Sequence, residues 1–536
     1  MGRPTPRVFD GARASCGGGG PRAPPIVLRH PLRDGAAPPE EHLTRKETSV
    51  NTPAPTAPTV IAANPGSIAV AQPNAAPAAS TTPVRELLAL RDALDGSLHL
   101  PADADWDAAR TAWNLAVDQR PAAVVIAGSA HDVVLTVNAA RELGLRVAPQ
   151  STGHNAAPLG GPDGLAGTIL LRTSSLRGVS IVPESRIARC ESGALWADVT
   201  APAAAFGLAA LAGSSADVGI AGYLLGGGVS WLARSHGLAV NSITAIEIVT
   251  ADGLLRRIDA DHEPELFWAV RGGSGNFGVV TAIELRLFPM TEVYAGTLFF
   301  PLAEASRVLQ AWREWTADVP EQVTSVGRIL QFPPLPELPD FLRGQSYVVI
   351  EAALQAPPVD ADAVLAPLRD LDPVIDTFQP TPMTELDQLH MDPQGPVPGV
   401  GDGFALAELT ADAVEAFVAA AGAGSGSALL SAEIRHVGGA AGRAPRGAGV
   451  VSHLDSEFLV FGAGIAATPE MGVAAAASVD RLAEALAPWR AAVLYQNFAE
   501  GPQEPRAIWG ADLDRLRAIK VVYDPSNTIR SNHPVL

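Results

Sequence analysis

Apolar positions recur along most of this chain at the two spacings that helices and strands require. Thr82 and Pro83 predict a helix start with Pro at its first position, followed by Leu87, Leu90 and Leu94 on one face. Residues 122–126 form a short apolar run that predicts a strand. Ser129–Ala130–His131–Asp132 resembles a capping box, opening a helix that aligns Val133, Val137 and Ala140 and closes at Gly144. Strands over 145–148 and 168–171 follow, separated by a glycine-rich loop at 149–167. This strand–helix–strand opening predicts an α/β domain. Farther along, Ile246 and Ile248 alternate in a strand that turns at Asp252 and Gly253. Val279, Thr281, Ile283, Leu285 and Leu287 keep period two up to Phe288 and Pro289. From about residue 291 acidic helices (302–318, 359–370, 409–420, 472–487) alternate with strands at 346–352, 432–437 and 457–461. That texture predicts a separate α+β domain, with 320–345 and 380–403 read as Pro-rich loops.

Composition changes the picture at the N-terminal end. Residues 1–82 hold 14 of the 46 prolines and a single aromatic, Phe9, and carry a charge of +3. Such a segment buries too little apolar surface to offset chain entropy, so a disordered leader is expected. It has no continuous apolar run behind a basic start, so no secretory signal is read and a cytoplasmic location is favoured. The remaining chain carries −22 of the total −19, an acidic balance that argues against nucleic acid and anionic membrane as partners. No uninterrupted apolar run is long enough for a membrane span. The 536 residues are too many for one ordinary core. Two cysteines, Cys16 and Cys190, exclude a four-cysteine metal site and a disulfide framework. Lys46 and Lys520 are the only lysines, and neither stands in a phosphate-loop motif.

Candidate chemistry concentrates in three glycine-rich loops. The first is Gln150–Ser151–Thr152–Gly153–His154–Asn155, after a predicted strand. The second runs from Gly219 through Gly222 and Tyr223 to Gly226–Gly227–Gly228. The third is Arg271–Gly272–Gly273–Ser274–Gly275–Asn276–Phe277–Gly278. Glycine lets consecutive N–H groups converge on a pyrophosphate without a cationic side chain, so the set points to a large phosphate-bearing cofactor. Gly273, Gly275 and Gly278 match G-x-G-x-x-G, but a helical pattern precedes them and a strand begins at Val279. That is the reverse of a dinucleotide fold's order. No G-x-S-x-G elbow and no H-E-x-x-H metal helix occurs.

These loops, in this order, resemble the FAD-linked oxidases of the vanillyl-alcohol oxidase/p-cresol methylhydroxylase superfamily. The branch they most resemble is the berberine bridge enzyme-like and 6-hydroxy-D-nicotine oxidase-like one. The resemblance also rests on Gly193–Ala194–Leu195–Trp196, Thr250–Ala251–Asp252–Gly253, Leu266–Phe267–Trp268, Tyr495–Gln496–Asn497–Phe498 and Tyr523–Asp524–Pro525–Ser526–Asn527. It covers about residues 83–536. It implies an α+β fold: a two-subdomain FAD-binding domain of the PCMH type, with an inserted substrate domain of antiparallel sheet plus helices. The expected divisions are a leader at 1–82, the FAD domain at 83–290, the substrate domain at 291–494, and a segment at 495–536 that returns to the FAD domain. It further implies FAD joined covalently through His154 alone, because Ser215 stands where the doubly linked branch has a cysteine. Thr152 and Gly153 replace the usual pair of glycines before that histidine. Cofactor contacts are then expected from residues 150–155, Ser215, Asp217, Gly219, Gly222, Gly226, Gly227, Gly228, Val279 and Asn497.

Flavin oxidation needs a donor C–H over the ring and often a base for the neighbouring proton. Tyr495 in Tyr-x-Asn resembles the family's active-site tyrosine, and Glu433 and Tyr223 complete the catalytic candidates. Alternation puts Glu433 and Arg435 on one face of their strand and His436 on the other, and an ion pair between the first two is an equal reading. His390 and His436 read as satisfied hydrogen-bonders. The implied reaction moves a hydride from a C–H beside an alcohol or amine of a small substrate to flavin, with dioxygen as acceptor. Open alternatives are a dehydrogenase or oxidative cyclase, an inactive metabolite-binding relative, and a nicotinamide-dependent reductase.

Overall fold

Ser129 acts as the N-cap its motif predicts: its Oγ accepts the Asp132 N–H and caps the helix Ala130–Leu143. Gly144 ends that helix in the left-handed conformation, φ +66°, which glycine adopts without a Cβ clash. Val133, Val137 and Ala140 are fully buried. The computed structural model describes residues 83–536 apart from 335, 337–339 and 394. Thr82 and the expected disordered leader lie outside the described residues, and the first helix runs Val84–Ala93.

The helix Ala130–Leu143 is flanked by the first sheet, ordered Ser97–His99, Ala123–Ile126, Thr168–Arg172, Arg146–Gln150, the last three strands parallel. A second, antiparallel sheet is ordered Val179–Val182, Ile187–Glu191, Val279–Arg286, Ile243–Val249, Leu255–Asp259. The period-two reading of the strand from Val279 is interrupted by register shifts at Val280/Ala282 and Glu284/Leu285. A bulge re-aims side chains. Val279 accordingly joins the first sheet's core, whereas Val280, Ile283 and Leu285 join the core around Trp196 and Phe267.

The third sheet has eight strands, all antiparallel. Its order is Ile375–Asp376, Glu292–Pro301, Ser346–Leu354, Val323–Gln331, Ser431–His436, Phe458–Ile465, Gly399–Leu406, with Gln379–Pro382 also on Glu292–Pro301. Helices Ala305–Thr316, Pro358–Arg369, Ala411–Ala421 and Pro469–Ala485 contribute to the core that covers one of its faces. Ile434 faces that core, and its neighbours Glu433 and Arg435 face the other way, into a cleft. The expected loops at 320–345 and 380–403 are corrected in part. Val323–Gln331 is a central strand, and Gly399–Leu406 starts inside the second stretch. Buried Thr324, Ser325 and Arg328 hide the first from an apolar pattern, and Gly399, Gly401 and Gly403 hide the second.

Candidate active site

The sheet's open face and the three glycine loops meet around one cleft of about 470 Å³. That size suits a small-molecule site. The strand Arg146–Gln150 delivers the first loop, and Gly153 turns the chain at φ +90°, bringing His154 to the wall. The His154 ring stacks on Trp113 with centroids 4.0 Å apart. Thr152 Oγ1 lies 2.8 Å from its Nδ1, and Asp217 Oδ1 lies 3.5 Å from its Nε2. Trp113 Nε1 and Ser215 Oγ donate to Asp217 at 2.6 and 2.8 Å. Burial works to raise the Asp217 pKa, but His154, Trp113 and Ser215 outweigh it and hold the carboxyl at about 2. A carboxylate beside an imidazole orients the ring and strengthens its other nitrogen as a nucleophile.

The expected cofactor glycines fall into two groups. Gly153, Gly219 and Gly222 line the cleft, as do Gln150, Ser151, Thr152, Asn155, Ser215 and Asn497. Gly226, Gly227 and Gly228 stand behind it. A Cβ on Gly226 would lie 1.7 Å from Asn497 Oδ1, one on Gly227 3.3 Å from the Tyr495 ring, and one on Gly228 2.5 Å from the Tyr223 ring. These glycines therefore admit three side chains that do line the cleft. Val279 is also behind it, in the core with Val147 and Ile169, while Gly278 and Val280 form the wall.

The catalytic candidates are all on the cleft, with different freedom to act. Tyr223 donates its hydroxyl to the Leu211 carbonyl at 3.1 Å and sets its ring edge-on to Trp196. Burial pushes its pKa well above the ordinary phenol value. Its proton is thus committed to backbone. The Tyr495 oxygen instead accepts the Val229 N–H at 3.0 Å and Asn497 Nδ2 at 3.1 Å, which leaves its own proton unassigned. Burial pushes this phenol up to about 12, opposed in part by those donors and by Arg435.

Glu433 belongs to a buried network. Arg435 Nε donates to its Oε1 at 2.6 Å, and His390 Nε2 is 2.7 Å from its Oε2. His390 Nδ1 meets Glu351, and Arg328 donates to Glu351, to Ser431 Oγ and to the His390 carbonyl. Burial works to raise the Glu433 pKa, but Arg435, His390 and Arg328 hold it well below the carboxylate range. Burial and Arg328 oppose protonation of His390, and Glu351 and Glu433 outweigh them and raise its pKa. His436 is on the opposite face, stacked on Phe458.

Several cleft residues escape sequence reading. Trp113 sits in an irregular segment without a motif, and Arg328 and Glu351 come from strands far from Glu433 in the chain. Glu500 lines the cleft beyond the Tyr-x-Asn motif. Burial and the negative charge of Asp402 push its carboxyl up to about 8. Its place five residues after Tyr495 was the available signal.

Residues 121–259 match the family described as FAD binding domain, and 494–535 the family described as berberine and berberine like. These two matches support a likeness to the berberine bridge enzyme-like FAD oxidases of the vanillyl-alcohol oxidase/p-cresol methylhydroxylase superfamily. Among relatives of this branch, (R)-6-hydroxynicotine oxidase of Paenarthrobacter nicotinovorans is 37% identical over 200 residues, 37% of this chain and 42% of that protein. Xylooligosaccharide oxidase of Thermothelomyces thermophilus is 30% identical over 228 residues, 41% of this chain and 45% of that protein. The matched stretches thus span less than half the length of either relative. The solved structure of Physcomitrella patens BBE-like 1 superposes with a TM-score of 0.73 at 19% identity, covering 84% of this chain and 99% of that one. 6-Hydroxy-D-nicotine oxidase from Arthrobacter nicotinovorans gives 0.66 at 24%, covering 82% and 97%. At those identities the likeness is one of fold.

The cleft itself fits a flavin cofactor. Ser151 Oγ, Gln150 Oε1, Ser192 Oγ and Gln496 Oε1 line it as buried polar atoms without a protein partner. Such groups are normally satisfied, and a polar ligand in the cleft would complete them. A Cβ on Gly219 would lie 2.6 Å from Ser151 Oγ, so two of the loops approach through a bare backbone.

Proposed function

We propose that this chain is an FAD-dependent oxidase, with the flavin tethered through His154 and held by the loops at 150–155 and 213–222. When bound, FAD accepts a hydride from a C–H beside an alcohol or amine of a small substrate and passes the electrons to dioxygen, giving hydrogen peroxide. One observation carries the reading: the His154 loop, Tyr495 with Asn497, and the Arg435–Glu433–His390 network all face the same cleft. Asp217 and Trp113 steady the His154 ring. Ser215 offers no thiol for a second link, and Cys190, the free cysteine among the described residues, is buried in the core, which supports a single tether.

Proton handling follows from the pKa directions. Tyr495 keeps its proton at neutral pH, and with two donors already on its oxygen its own O–H orients the substrate through an acceptor away from the reacting C–H. Glu433 stays ionised and paired, so it supplies fixed charge and anchors Arg435 and is a weak base. Tyr223 contributes a ring wall. A neutral amine asks least of such a site, because no proton has to leave before the hydride does.

Anaerobic mixing with alcohols, sugars and N-heterocyclic amines tests the reading. A true substrate bleaches the flavin absorbance, and air restores it with one hydrogen peroxide per turnover. Bleaching with slow recovery in air would make the chain a dehydrogenase or cyclase, bleaching by NADPH a reductase. Absence of flavin absorbance would contradict the proposal altogether.

A further inference from the structure

Lys520 is one of two lysines in a chain with 36 arginines, and the only one among the described residues. It is 1% exposed. Its ammonium donates to the Asn276 carbonyl at 2.6 Å, to Asp524 Oδ2 at 2.6 Å and to the Ile529 carbonyl at 3.0 Å. Those acceptors come from the third glycine loop, the end of the lysine's own helix Leu513–Tyr523, and the C-terminal tail. An ammonium has three donors splayed around a point, whereas the donors of a guanidinium lie in one plane. The site therefore selects lysine in a chain that otherwise uses arginine.

The tail that Lys520 holds is stitched to two of the cleft's loops. Val147 N–H donates to the Thr528 carbonyl and Arg530 N–H to the Val147 carbonyl, both at 2.8 Å, alongside the strand that feeds the first loop. Asn276 of the third loop donates to the His533 carbonyl at 2.9 Å and accepts the Val535 N–H at 3.1 Å. Ser531, Asn532 and His533 thereby enter the cleft wall next to Ser274 and Gly275. His533 is 3% exposed; neither ring nitrogen meets a protein group in good hydrogen-bond geometry, and only the Ala499 and Gln496 carbonyls act weakly on the ring. A buried imidazole without good partners is costly unless a ligand supplies them.

We infer that the tail residues 531–533 are a wall of the flavin site, that His533 hydrogen-bonds a polar group of FAD, and that Lys520 is the residue that positions this wall. This rests on the flavin reading above. The test titrates FAD into the full-length His154→Ala apoprotein, where binding is non-covalent, with Lys520→Arg or His533→Ala added. Amide exchange of residues 529–535 is followed in the same samples. Loss of one buried hydrogen bond to the ligand weakens FAD binding by about tenfold in each variant. Lys520→Arg also loses tail protection, whereas His533→Ala keeps it, a split that a merely structural role for the histidine would not give. Unchanged affinity in His533→Ala overturns the contact, and unchanged affinity in a folded Lys520→Arg overturns the positioning. If Lys520→Arg gives no cooperative melt, His533→Ala with its protected tail decides. A chain that takes up no FAD even with His154 in place overturns the flavin reading itself.

Discussion

Burial and hydrogen bonding act on Tyr495 in opposite senses, and burial wins. The phenol stays protonated although the Val229 N–H and Asn497 both point at its oxygen. Tyr495→Phe removes a hydroxyl that orients the substrate, so kcat/KM for flavin reduction is expected to fall about tenfold with flavin content unchanged. Stopped-flow reduction of the flavin measures this, and an unaltered value would remove Tyr495 from that role. Glu500 makes a prediction about pH. Its folded pKa of about 8 lies above its ordinary value of 4.5, so the native state keeps a proton that the unfolded chain has lost. Between those values stability falls as pH rises. Glu500→Gln removes that loss, and its melting temperature is expected to exceed the wild type's by more at pH 8 than at pH 5. An offset independent of pH would show that Glu500 ionises freely. These two residues also mark what was legible. Tyr495 stands in a motif, whereas the pairing of Glu500 with Asp402 depends on a strand about a hundred residues earlier in the chain.

Helices and strands were readable where one face alone is buried. The helix Ala130–Leu143 carries cap, stripe and terminator in its own sequence. Replacing Ser129 with Ala removes the cap bond and also the bond to Asp95. It is expected to cost about 1 kcal/mol, measured by urea denaturation with an unchanged slope. Gly144→Ala forces a Cβ into the left-handed region with no compensating contact, and a similar loss of about 1 kcal/mol is expected. No change in either variant would mean that the terminus is fixed by packing alone. Val323–Gln331 was not readable, because eight of its nine positions are buried on two faces and several of them are polar. Its Arg328 is explained only by Glu351 and His390, which arrive from other elements. The triple glycine was legible as a close approach but not as to what approaches. Its partners are Tyr223 from the same loop, and Tyr495 and Asn497 from a distant part of the chain.

At the scale of the whole molecule, the cleft exists because separate sheets and the C-terminal tail converge on it. The first sheet supplies the His154 loop, the strand Val279–Arg286 of the second follows the third loop, and the eight-stranded sheet supplies the charged wall. No helix among the described residues is long and apolar enough to cross a membrane. The central claim, a flavin held at this cleft and joined to His154, is tested most directly by the mass of the acid-denatured protein. The wild type is expected to be heavier than the bare chain by one FAD and to precipitate yellow, and His154→Ala to return to the mass of its own chain with the colour in the supernatant. A wild type at the bare chain mass would contradict the account: with flavin released into the supernatant the tether fails, and with none released the cofactor itself does.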